Sequence, residues 1–190
     1  MATDTRELES ITVERTDGVV TITLRRPEKK NAADAAMWNE LLDEFRAIAS
    51  NQADRAVVLT GAGGNFCSGA DLWQGGSGDG PPPHQLSAMR HITDVCLALH
   101  RIPQPTVAKV RGVAVGAGLN MALSCDLVVA SDYARFSVIC AQRGRCVDFG
   151  GAWRVRRLGG VLRAGELGLV AEIIEAQVAA EWGVVIRVRP

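Results

Sequence analysis

Ala56-Val57-Val58-Leu59-Thr60-Gly61-Ala62-Gly63-Gly64 decides the fold. Its apolar part shows no polar alternation, the pattern of a strand buried on both faces inside a parallel sheet, and the glycines let the chain turn sharply away. Towards the N-terminus, Ile11–Thr16 and Val19–Leu24 alternate with period two around Asp17-Gly18, which predicts that the chain opens with an antiparallel pair. Between that pair and Ala56, Met37, Leu41, Leu42, Phe45 and Ile48 recur at helical spacing behind Asp34, a cap residue, predicting a helix over about 34–50.

Towards the C-terminus the alternation of strand and helix continues. Leu86, Met89, Ile92, Cys96 and Leu99 mark a helix that ends before Pro103, and Thr106–Val110 and Asp126–Ala130 read as strands. Gly116-Ala117-Gly118 opens a helix between them, and further helices are expected near 162–170 and near 176–182, the last ended by Gly183. Gln74–Gln85, rich in Gly and Pro, reads as a mobile surface loop. The expectation is one α/β domain over residues 1–190 with a mostly parallel sheet.

Charge and composition narrow the function. The 21 basic and 21 acidic side chains cancel, which argues against a nucleic-acid binder, since such proteins concentrate basic charge to neutralise phosphates. No run approaches the roughly 20 apolar residues of a spanning helix, and the polar start MATDTRELES does not read as a secretory signal. Five cysteines scattered through apolar segments suit reduced thiols, so the expected location is cytoplasmic, with no membrane partner. They lack paired metal-ligand spacing, and no metal site is expected. Between Arg143 and Arg163 six arginines face the single acid Asp148, a patch read as a solvated surface.

Two turns carry the chemistry. Phe66-Cys67-Ser68-Gly69-Ala70-Asp71-Leu72 and Gly112-Val113-Ala114-Val115-Gly116-Ala117-Gly118-Leu119 each leave a buried strand through small residues, which permit close backbone approach and expose amide donors for an oxyanion. Gly61-Ala62-Gly63 is not a dinucleotide fingerprint, because Phe66 stands where the third glycine belongs. Asn65-Phe66-Cys67-Ser68-Gly69 is not a nucleophile elbow. Asp148, between Val147 and Phe149, is placed where partial desolvation raises a carboxyl pKa, though it could equally cap the helix after Gly150-Gly151.

With these turns, Arg26-Pro27-Glu28-Lys29-Lys30-Asn31-Ala32, Cys125-Asp126-Leu127 and Ala134-Arg135-Phe136-Ser137, the chain resembles the crotonase family, the enoyl-CoA hydratase/isomerase superfamily, over about residues 11–188. The resemblance implies a spiral of β-β-α repeats and an acyl-CoA thioester whose carbonyl lies between the Ala70 and Ala117 amides. It implies coenzyme A as part of the substrate with no tightly bound cofactor, and a homo-oligomer, a trimer or hexamer. Lys29, Lys30, Ala32, Cys67 and Ser68 match the region that receives the CoA nucleotide. The positions of the two hydratase glutamates hold Asn120 and Cys140, neither a carboxylate base, while Asp148 matches an aspartate that some members use. A double-bond shift by one carboxylate is therefore favoured over hydration, with a hydratase or a catalytically silent CoA- or partner-binding protein as alternatives. The C-terminal helices usual in the family are expected to be missing, with self-association as the consequence.

Overall fold

In the computed structural model, which describes residues 3–71 and 84–190, the decisive run is β4 (Ala56–Gly61), at the centre of a seven-stranded sheet. The described residues form, in chain order, β1 (Asp4–Glu7), β2 (Ile11–Thr16), β3 (Val19–Leu24), α1 (Ala35–Ser50), β4, α2 (Gln85–His100), β5 (Thr106–Val110), β6 (Val113–Val115) and α3 (Ala117–Ala122). They continue through β7 (Leu127–Ser131), β8 (Arg135–Ser137), α4 (Gly151–Gly165), β9 (Ile174–Glu175), α5 (Ala176–Glu181) and β10 (Arg187–Arg189). The large sheet runs β1-β2-β3-β4-β5-β7-β10, antiparallel from β1 to β3 and parallel beyond. A small sheet, β6-β8-β9, stands apart. The α/β class and the mostly parallel pairing match the sequence reading.

Sequence explains most of this. Asp34 Oδ1 accepts a 2.9 Å hydrogen bond from Met37 N, so α1 begins where the cap residue stands. Its stripe of Met37, Trp38, Leu41, Phe45 and Ile48 joins Ile11, Val13, Ile22, Val57 and Leu59 in the core. Removing each such side chain from water contributes roughly 1.5–3 kcal/mol, which is why the stripe fixes the helix to the sheet.

Four readings are corrected. A third strand, β1, precedes the expected pair; its residues Asp4, Thr5, Arg6 and Glu7 are all exposed, so it carries no apolar signal. β4 is buried on one face only: Val57 and Leu59 are buried, whereas Val58 lies with Val107, Leu127 and Val129 on a face partly open among the described residues. The helix expected near 162–170 starts at Gly151, because Gly150 takes a left-handed conformation (φ 71°) and serves as its cap residue; it breaks at Gly160 (φ 82°), and Glu166–Val170 is wound more widely. His84, read as part of a loop, caps α2, its Nδ1 accepting from Leu86 N at 3.2 Å. Positions 74–83 of that loop lie outside the described residues.

α1 is also tied to the outer strands by charge. Glu44 is buried and accepts from Arg15 at 2.6 Å and from Arg6, while Asp54, also buried, lies 3.2 Å from Arg15. Among the described residues no helix is long and apolar enough to cross a membrane.

Candidate active site

The two small-residue turns are built side by side by the backbone. Cys67 N donates to Val113 O and Val115 N donates to Cys67 O, both at 3.0 Å, so the first turn is stitched parallel to β6. Glycine is required at the seam: a Cβ on Gly118 would sit 2.3 Å from Cys67 O, and α3 could not then approach the first turn. Gly69 (φ 104°) lies so close to the second turn that its Cβ would be 3.6 Å from Ala117 N.

Each turn presents an amide. Ala33 N donates to Gly69 O and Asp71 N to Ala33 O, both at 2.8 Å; successive amides of extended chain point to opposite sides, so the Ala70 N–H faces away from Ala33. Ala117 is the first residue of α3, where an N–H has no partner within the helix, and Gly116 before it offers no side chain to cap it.

Ala70 and Ala117 line one cleft of about 120 Å³, with Ser68 and Asp148. Its other wall is the segment from Ile139 to Asp148, which contributes Cys140, Arg143, Arg145 and Cys146. Ile139 (φ 50°) is a β-branched residue in left-handed backbone, closed by a 2.6 Å bond from Cys140 N to Val138 O; such strain is held by the surrounding contacts. At the far end Phe149 (φ 49°) packs on Trp38 with ring centroids 5.7 Å apart.

Asp148 is held by its main chain. Its carbonyl accepts from Asn120 Nδ2 at 2.9 Å and from Gly151 N at 2.8 Å, while its carboxylate makes no capping bond to α4. The cap reading is thus not realised. Burial pushes the Asp148 carboxyl above the usual carboxylate range, against the smaller opposing effects of its own amide, Arg145 and Asn120. Burial first, and then the Asp148 charge, raise the Cys140 thiol, so Cys140 is a neutral neighbour and not a thiolate.

The remaining expected site residues lie beside this cleft without lining it. Ser68 N donates to Lys30 O at 3.0 Å and Ser68 Oγ to Lys29 O at 3.1 Å, which places the Lys29–Ala32 loop against the first turn. Lys29 and Lys30 are exposed, Ala32 is buried, and Ala32 N bonds Lys29 O at 3.2 Å. Cys67 is fully buried with its thiol pushed up to about 11 by burial, and its main-chain N and O are both used in the seam, so it shapes the turn.

Sequence reasoning missed three roles. Asn31 is the pin of the loop: Nδ2 donates to Ala62 O (2.9 Å) and Asn65 O (2.8 Å), and Oδ1 accepts from Arg26 N (2.9 Å). Arg26 pairs with Asp34 at 3.2 Å and Asp71 at 3.0 Å, so it ties the cap of α1 to the first turn. The arginines read as one solvated face divide: Arg143 and Arg145 line the cleft, and Arg154 is buried with Nη2 3.8 Å from Cys96 Sγ. Spacing carries no signal for that division, because the arginines fall on both sides of the Asp148 turn.

Residues 14–190 match the family described as enoyl-CoA hydratase/isomerase. The chain is 35% identical over 170 residues to a 1,2-epoxyphenylacetyl-CoA isomerase of Escherichia coli (strain K12), covering 88% of this chain and 65% of that protein. It is 39% identical over 181 residues to a 4-chlorobenzoyl coenzyme A dehalogenase-2 of Arthrobacter sp, covering 94% and 65%. The crystal structure of an enoyl-CoA hydratase from Bacillus anthracis superposes with a TM-score of 0.88 at 34% identity, covering 96% of this chain and 70% of that one. The chain thus spans 65% of the length of each of those two relatives.

Proposed function

Because the chain belongs to the enoyl-CoA hydratase/isomerase family, matched over residues 14–190, we propose that it binds an acyl-CoA thioester and moves a proton on its acyl chain through an enolate. The observation that carries this reading is that Ala70, Ala117 and Asp148 line one cleft, and we assign the two alanine amides to the thioester oxygen. Two preorganised donors aimed at one oxygen stabilise the charge that develops as a thioester carbonyl becomes an enolate. Asp148 is the only carboxylate lining that cleft among the described residues.

The proton economy follows. The Asp148 carboxylate removes a proton from the carbon next to the carbonyl or from its vinylogous position, and the C–H electron pair passes to the thioester oxygen. The neutral carboxyl then returns the proton at another carbon, which shifts the double bond and regenerates the carboxylate. A carboxyl whose pKa is raised by burial is better matched to both halves of that exchange near neutral pH. Addition of water by two glutamates is disfavoured because Asn120 and Cys140 stand at those positions and Asn120 Nδ2 is engaged by Asp148 O. Lys29 and Lys30, exposed beside Ser68, are assigned to the CoA phosphates as point charges.

Self-association belongs to the same reading, supported by the exposed apolar side chains Val161, Leu162, Leu169 and Val170 in and after α4. Sedimentation is expected to give an oligomer. The test of the chemistry is proton NMR of crotonyl-CoA with the protein in heavy water. Exchange of carbon-bound hydrogen for deuterium that vanishes in Asp148→Asn supports the proposal. Binding without exchange overturns it.

A further inference from the structure

The cleft is unevenly charged. Its ionisable lining consists of Arg143, Arg145 and Asp148 beside two cysteines, of which Cys140 is held neutral. Neither arginine forms an ion pair among the described residues, whose ion pairs involve Arg6, Arg15, Arg25 and Arg26. Two guanidinium groups against one carboxylate leave one cation without a counter-charge.

The arginines are also positioned. Arg143 N (3.0 Å) and Arg145 N (2.9 Å) both donate to Cys140 O, and Gly144 (φ 62°) between them closes a tight turn. The two side chains therefore spring from an anchored loop on the wall opposite the amides of Ala70 and Ala117. On the proposed reading, those amides serve the thioester oxygen and the lysines beside Ser68 serve the nucleotide. An anion would complement the arginine wall, and the acyl chain is the part of the ligand that remains.

Resting on the acyl-CoA reading above, we propose that the acyl group taken by this cleft carries a carboxylate, which Arg143 and Arg145 hold. Guanidinium groups suit this task, since their planar donors pair with a carboxylate in two parallel hydrogen bonds and remain charged at any working pH. Substrates of this class are mono-CoA thioesters of dicarboxylic acids.

The test compares two saturated, unreactive probes of equal chain length, glutaryl-CoA and pentanoyl-CoA, by calorimetric titration of the 190-residue chain, with free CoA as reference. Glutaryl-CoA is expected to bind more tightly by about tenfold or more, the gain of one charge-assisted contact. In Arg143→Gln/Arg145→Gln the two thioesters are expected to converge to within about threefold, with free CoA unchanged. Both arginines are exposed, so circular dichroism should show the variant folded. Equal or tighter binding of pentanoyl-CoA overturns the inference and leaves the acyl-CoA reading standing. Equal weakening of both thioesters overturns it too, because the arginines then serve the enolate oxygen or the common scaffold. Weakened free CoA likewise overturns it, assigning them to phosphate. If neither thioester binds, the acyl-CoA reading fails, and this inference with it.

Discussion

Asn120 Nδ2 donates a 2.9 Å hydrogen bond to the main-chain oxygen of Asp148, across the start of α4. The fit depends on Gly151, whose Cβ would lie 2.2 Å from Asn120 Oδ1. The Asn120 side chain thus holds the turn that carries Asp148. Asn120→Ala removes the donor from a fully buried site, and a loss of about 1–3 kcal/mol in urea unfolding is expected, with proton exchange reduced as Asp148 loosens. An unchanged midpoint and unchanged exchange would show that the bond holds nothing.

Asp148 sets a pH dependence with a definite sign. Its folded-state pKa lies above the unfolded value of about 4, so the folded protein binds this proton more tightly. The resulting stability is fully present below pH 4 or so and is lost as pH rises through the raised pKa. Asp148→Asn should therefore flatten the stability profile on the neutral side of that window and raise the melting temperature relative to the parent near pH 7. A variant less stable at neutral pH would mean that the carboxylate is stabilised by contacts that outweigh its burial.

The second amide can be deleted without breaking its helix. Ala117 occupies the first helical position of α3, where proline is tolerated because the N–H has no intrahelical partner. Ala117→Pro is expected to keep the fold and to lower kcat by roughly 10²–10³, the effect of losing one oxyanion donor. Retained turnover with an intact circular dichroism spectrum would remove Ala117 from the site.

How far the sequence foretold this site depends on which atoms build it. The Ala70 and Ala117 turns were legible because glycine and alanine at a strand exit have few uses besides close approach. Asp148 was legible as a lone acid in an arginine-rich stretch, although only the structure separates its carboxyl from the cap of α4. Asn31 and Arg26 were quoted without their roles, since a pin across a loop depends on residues more than 30 positions away, such as Ala62 and Asn65. The small sheet escaped for a similar reason: β6, β8 and β9 have three residues or fewer each, too short for alternation to register. β4 misled because partners on one side of a sheet, not the run itself, decide whether both faces are covered.

The buried charges of the outer strands predict a large penalty for a one-sided change. Arg15 faces Glu44 at 2.6 Å and Asp54 at 3.2 Å, and both acids are buried. Among the described residues Arg15→Met leaves Asp54 without its ion-pair partner and Glu44 with Arg6 alone, and should cost about 3–5 kcal/mol in denaturant, whereas adding Glu44→Met should recover part of that loss. Equal losses in the single and double variants would show that Glu44 is satisfied by Arg6 alone.

Thiol reactivity offers a reporter for the cleft. Cys146 is exposed at its wall, while Cys67, Cys96, Cys125 and Cys140 are buried, and burial raises Cys67 to about 11 and Cys125 to about 12. Native protein is expected to take up one iodoacetamide adduct per chain, at Cys146, and a bound thioester should slow it. Rapid labelling at several positions would mean that the native core opens far more often than its packing implies.

The outermost strand has a consequence of a different kind. Among the described residues no strand pairs with the outer side of β1, so its main-chain donors and acceptors there form a template on which another chain could extend. Asp4, Arg6 and Glu7 place alternating charges along that edge, and Arg6 is drawn back over it to Glu44. A strand joining there would have to match those charges with its own side chains. The feature that hid β1 from the sequence reading is thus the one that makes this edge a poor template for a further strand.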